Sequence, residues 1–140
     1  MMGKLRRAGR VVLALAMCAA LGGCGSRPAG EAQVLLDGAA WDGRAVAPEE
    51  QGLRVYITLD GRPLIDLPFD RARSVTIRQP GLGENTVTFT GDAVYMSHAD
   101  CENQDCVNMG AVTADNLELR VMGGFIVCLP HKLSVEVRGD

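Results

Sequence analysis

The sequence predicts an all-β fold: a small single-domain sandwich or partly open barrel of short, mainly antiparallel strands. Three observations carry this expectation. From Leu53 onward, apolar residues recur at every second position, as they do in strands with one buried face. Asp-Gly, Gly and Pro punctuate the chain about every ten residues, the turn spacing of small sandwiches and barrels. No stretch behind the N-terminal leader carries the 3.6-residue apolar stripe of an amphipathic helix.

The chain opens "MMGKLRRAGRVVLALAMCAALGGCGS". Lys4, Arg6, Arg7 and Arg10 form a basic n-region, and Val11 to Leu21 is an unbroken apolar run. That length suits the h-region of a signal peptide and is short for a membrane span. Leu21-Gly22-Gly23-Cys24 resembles a bacterial lipobox, in which the cysteine takes the lipid and becomes the first mature residue. Cys18 follows Met17, a poor cleavage residue, so Cys24 is the expected lipidation site. Arg6-Arg7 lacks the rest of a twin-arginine motif and reads as n-region charge. Residues 1–23 are therefore expected to be a lipoprotein signal peptide, 24–52 a lipidated N-terminus and tether, and 53–140 the β domain.

Removing residues 1–23 takes four of the 14 basic residues and none of the 17 acidic ones, which leaves a net charge of −7. An acidic chain without a Lys/Arg stripe repels phosphate backbones, so nucleic-acid binding is disfavoured. The expected contacts are the membrane, through the lipid, and a membrane-associated protein.

"GSRPAGEAQ" is small and polar, as a tether should be. Trp41, the only tryptophan, lies between Asp37-Gly38 and Asp42-Gly43, where it could cap the domain or face a membrane or partner. In "LRVYITL", Leu53, Val55, Ile57 and Leu59 share one face. Asp60-Gly61 then suits a tight hairpin, and "RPLIDLP" returns with Pro63 and Pro68, which favour an edge position. "RSVTIRQ" buries Val75 and Ile77, and "NTVTFT" buries Val87 and Phe89. Gly91-Asp92 turns into "AVYMS", and "FIVCL" and "KLSVEV" supply the last strands.

Every remaining cysteine and histidine lies in "HADCENQDCVNMG" and "GGFIVCLPHKL". Together with the "VYITLDGRPLIDLP" hairpin and "NTVTF", these stretches resemble the NusG domain II-containing proteins. These are stand-alone, usually membrane-anchored relatives of a β-rich insert in some NusG transcription factors. The resemblance rests on Asp100-Cys101, Asp105-Cys106-Val107, Gly110 and Ile126-Val127-Cys128-Leu129-Pro130, and spans roughly residues 53–137. Glu102 stands where the family often has Pro, and Ala111 where it often has an aromatic. The resemblance implies a β-rich extracytoplasmic domain of no settled activity.

Outside the cytoplasm cysteines tend to pair. Cys101–Cys106 is the expected disulfide, closed by the polar loop Glu102–Asp105, with Cys128 as the alternative partner of either. Loop entropy does not choose, at roughly 2 kcal/mol for the short loop against roughly 3 for Cys106–Cys128. An unpaired Cys128 is expected to be a buried small hydrophobe. The rival is a metal or redox-centre carrier built from His98, Cys101, Cys128 and His131, two x2-spaced pairs of nitrogen and sulfur donors. Cys128-x2-His131 is similar to half of a Rieske site, but the matching Cys-x-His is missing. As single residues, His98 reads as an exposed turn histidine and His131 as a strand-edge polar residue. No positioned nucleophile, phosphate loop or low-pKa C-x-x-C pair is visible, so neither catalysis nor a cofactor is expected.

Overall fold

Residues 31–43 and 52–139 are described by the computed structural model. The expected signal peptide and the expected lipidation site, Cys24, lie outside the described residues.

The alternating segments become strands, as their spacing requires. β3 (Leu53–Leu59) and β4 (Arg62–Pro68) form a hairpin across Asp60 and Gly61. Both turn residues have positive φ, 50° and 75°, which an Asp-Gly pair tolerates. β5 (Ala72–Gln79), β6 (Gly83–Thr90) and β7 (Ala93–Ala99) follow as an antiparallel meander. After a short helix α1 (Asp105–Asn108) come β8 (Val112–Thr113), β9 (Phe125–Cys128) and β10 (Leu133–Gly139).

The N-terminal boundary differs from the one the sequence predicts. Gln33–Leu36 (β1) and Ala39–Ala40 (β2), placed by sequence in the tether, form a hairpin and join the domain. β1 pairs with β5 from Gln33↔Arg78 to Leu36↔Val75, and Val34 enters the core. Burying that valine stabilises the added strand by about 1.5–3 kcal/mol. The Asp37 amide donates to Ser74 O and the Asp37 carboxylate accepts from Ser74 N, both at 2.8 Å.

The strands make two antiparallel sheets, ordered β2-β1-β5-β6-β7-β8 and β4-β3-β10-β9, and neither closes into a barrel. The fold is thus a β sandwich. Val75, Ile77, Val87, Phe89, Val94 and Met96 of the larger sheet are buried, as are Val55, Ile57, Leu67, Ile126, Leu133 and Val135 of the smaller. β4, the strand with two prolines, lies at a sheet edge, where a missing N–H costs no ladder bond.

Trp41 is half-buried against this core, with its amide donating to Val34 O at 2.8 Å. It also lines a groove of about 470 Å³ with Tyr56, Leu64, Asp66 and Arg138. It therefore caps the domain and contributes to an open surface at the same time.

Candidate functional site

Two corners at one end of the sandwich hold the residues that the sequence singles out. The first gathers sulfur. Beyond β7 the alternation continues, so Ala99 and Cys101 turn inward while Asp100 turns out. Gln104 then takes a left-handed conformation, φ 54°, and starts α1, which buries Cys106. The Gln104 side-chain amide donates to the carbonyls of Ala99 and Cys101, both at 2.6 Å, and fixes this tight return. Across from it, Cys128 ends β9 with its side chain buried. The β9 edge is held to the end of α1 by the Val127 amide, which donates to Met109 Sδ at 3.3 Å.

The three sulfurs meet. Cys101 Sγ lies 3.8 Å from Cys106 Sγ and 3.7 Å from Cys128 Sγ, and all three lie within 4.8 Å of one another. All three stand as free, buried thiols. A disulfide needs about 2.05 Å, so the expected Cys101–Cys106 clip is not formed in this structure. Cys128 lies as close to Cys101 as Cys106 does, and both pairings remain within the cluster. Cys128 is buried between its chain neighbours, as its apolar context suggests. The Cys106 thiol is pushed up to about 12, first by burial and then by the neighbouring Cys128 and Cys101 thiols. It therefore stays protonated at neutral pH.

The second corner is built on His131. The turn from Leu129 to Lys132 carries the imidazole away from the sulfurs and under the larger sheet. There His131 is 3% exposed, buried where the sequence suggests a polar edge position. Its Nδ1 lies 2.7 Å from Asn85 Oδ1 and its Nε2 3.4 Å from Asp100 Oδ1. Gln79 Nε2 donates to the His131 carbonyl at 2.9 Å, and Asp100 Oδ1 accepts from the Glu84 amide at 2.8 Å. Gly83 makes room for this arrangement: its φ is +141°, and a Cβ there would collide with Asp100 Oδ1 and the His131 ring.

His98 joins neither corner. A register irregularity between β6 and β7 pairs Thr86 with His98 but Val87 with Met96. The extra residue leaves Ser97 and His98 both exposed. The set His98, Cys101, Cys128 and His131 therefore does not converge. Among the described residues, the metal-competent group is Cys101, Cys106 and Cys128. Sequence reasoning treated Cys106 as a bystander to the metal set and missed Asn85, Asp100 and Gln104. Asn85 had left a signal: it is in phase with Val87 and Phe89, and a polar residue at a core position calls for a buried partner.

One flank of the sulfur corner is apolar, while Glu102, Asn103 and Asp105 expose a polar flank on the loop between Cys101 and Cys106. Leu119, Val121 and Met122 are exposed and form a groove with Met109 at the end of α1. Exposed Leu129 lines a small cavity with Cys106 and Cys128. The segment carrying Leu119 is held in place. Arg120 Nη1 donates to Met109 O at 3.0 Å and Ala111 O at 2.9 Å, and its Nε to Gly123 O at 3.1 Å.

Sheets and corners together define a small two-sheet β domain with a buried three-cysteine cluster. Residues 11–140 match NusG domain II, and the chain belongs to that family. Solved structures agree on the fold. The Lin0431 protein from Listeria innocua is 25% identical, with a TM-score of 0.52 over 61% of this chain and 94% of that one. A DUF1312 family protein from Enterococcus faecalis is 17% identical, with a TM-score of 0.54 over 62% of this chain and 97% of that one. The comparison with curated proteins gave no match.

Proposed function

We propose that the chain is an exported, lipid-anchored β domain that acts without catalysis, as a binding or accessory module for a membrane-associated partner. In an oxidising compartment one disulfide drawn from Cys101, Cys106 and Cys128 staples its α1 corner. The observation that carries this reading is the apolar flank of that corner. Leu119 is 84% exposed, Val121 fully exposed and Leu129 79% exposed, on segments tied down by hydrogen bonds. A rigid segment gains nothing for its own folding by holding leucine and valine in water, whereas a docking partner would cover them. The lipobox-like "LGGC" supports the anchoring.

Fractionation of a bacterial host expressing the full chain tests the first half. The expected product begins at Cys24, carries a diacylglyceryl mass and sediments with membranes, and Cys24→Ser abolishes both properties. Unprocessed protein in the cytoplasm overturns the reading. For the second half, in-cell crosslinking of wild type is compared with Leu119→Ser/Val121→Ser. The variant should lose a discrete adduct while keeping its circular-dichroism spectrum. The same adducts in both samples place docking elsewhere, and Trp41→Ala then tests the groove on the smaller sheet.

A further inference from the structure

We propose that Cys101, Cys106 and Cys128, in their reduced state, form a three-sulfur binding site for a thiophilic metal cation, of which Cu(I) fits the donor set. This inference needs neither export nor the lipid anchor. It concerns the reduced form of the same sulfurs whose oxidation would make the staple.

Geometry comes first. A single ion with metal–sulfur bonds of about 2.3 Å requires its sulfurs to stand roughly 3.8–4.0 Å apart, from tetrahedral to trigonal geometry. Cys101 already has its two neighbours at 3.8 and 3.7 Å. Ordinary contact gives one pair a similar spacing. It does not call for three thiols from three separate segments to meet. Here one comes from the exit of β7, one from α1 and one from the end of β9.

The donor set then selects the ion. Both imidazoles are elsewhere: His98 is exposed, and His131 is held by Asn85. Structural zinc takes four ligands, and the described residues bring only three to this point. Thiolates without nitrogen or oxygen partners favour the soft Cu(I) ion. Access is present as well, because a cavity of about 40 Å³ opens onto Cys106 and Cys128 beside Asn103, Asp105 and Pro130. That is room for one water-sized occupant. On binding, the thiol protons leave to solvent and metal–sulfur bonds replace them, with no change in oxidation state.

The test uses the full chain in detergent, with Cys18→Ser and Cys24→Ser so that only these three thiols remain. It is reduced and kept anaerobic, and three free thiols are confirmed by alkylation and mass before titration. Cu(I) is added in competition with a chromogenic Cu(I) chelator, and Zn(II) is titrated in parallel. The expected result is one Cu(I) per chain with ultraviolet thiolate-to-copper absorption. Each single Cys→Ser change should weaken binding by at least about 100-fold, the upper end of what losing an outer-shell partner costs. Because a serine variant can fail to fold, X-ray absorption on the copper-loaded, otherwise unchanged protein gives an independent reading. Sulfur neighbours alone support the site, whereas nitrogen or oxygen in the first shell overturns it. No uptake by protein with three proven thiols also overturns it, as does tight Zn(II) binding without Cu(I). A sample that has lost two thiols to a disulfide speaks to the proposed staple and is not titrated, so the two ideas fail separately.

Discussion

The corner of Cys101, Cys106 and Cys128 and the corner of His131 are separated in sequence by Leu129 and Pro130 alone, and they bury their polar atoms by opposite means. At His131 the nitrogens face Asn85 and Asp100, the carbonyl accepts from Gln79, and Asn85 Nδ2 reaches Met96 Sδ at 3.6 Å. The sulfur corner has no such strong network, because thiols are weak donors and acceptors and tolerate burial without it. A satisfied network rigidifies and joins the two sheets, since His131 precedes β10 and Asn85 sits on β6. The sulfurs are held by weak contacts with one another, at 3.7 and 3.8 Å, and by no strong donor or acceptor among the described residues. The contrast assigns a structural role to the histidine and leaves the cysteines as the sulfur donors of the proposed staple or metal site.

The strongest way to break the histidine corner is to fill its floor. Gly83→Ala drives a methyl group into the imidazole and the Asp100 carboxylate at a backbone angle that favours glycine. Overpacking and backbone strain together are expected to cost about 3 kcal/mol, read as a lower denaturant midpoint. A loss below about 1 kcal/mol would show that His131 can leave the corner freely. Cu(I) binding in the same variant should be unchanged as long as it folds.

Next in size is the pair itself. His131→Ala strands the buried Asn85 amide and should cost about 2 kcal/mol, with Asn85→Ala similar for the converse reason. Since each single change already breaks the same bond, the double variant should fall short of the sum by more than about 0.5 kcal/mol. Strict additivity would mean that the two side chains do not hold one another.

How much of this contrast was legible in the sequence depended on the length of each signal. β3 to β7 and β10 each run seven or eight residues, long enough for alternation to register, whereas the two-residue β8 left no such signal. The Asp60-Gly61 turn and the edge position of the Pro-bearing strand followed from residue chemistry alone. β1 was missed because it has four residues, and Leu35 beside Leu36 breaks its alternation. α1 was missed for a similar reason: four residues cannot display a 3.6-residue stripe. The cysteines and histidines were found, but Cys128-x2-His131 was treated as one unit. A turn between them sends the two side chains to different sheets, and spacing alone does not encode that direction.

A smaller effect sharpens the sulfur side. Cys106 titrates at about 12 in the fold against its ordinary 9.0, so the fold favours the neutral thiol. The stability this contributes is complete below pH 9 and is lost as the pH rises through 12. Under reducing conditions the denaturant midpoint should therefore fall across that window, and the Cys106→Ser curve should be flatter there. Parallel curves for the two proteins would mean that the Cys106 thiol ionises as easily in the fold as out of it.

The smallest expected effect bears on whether the two corners are the whole story. His98 shares the "HADC" stretch with Cys101, yet the β6–β7 irregularity turns it into solvent. An exposed side chain away from core, cap and network is expected to change stability by less than about 0.5 kcal/mol when replaced. His98→Ala should thus leave both the denaturant midpoint and the Cu(I) stoichiometry where they were. A tenfold fall in Cu(I) affinity would bring an imidazole back to the sulfur corner. The three-sulfur cluster would then be a resting arrangement, and the division between a structural histidine and a sulfur-only donor set would hold for His131 alone.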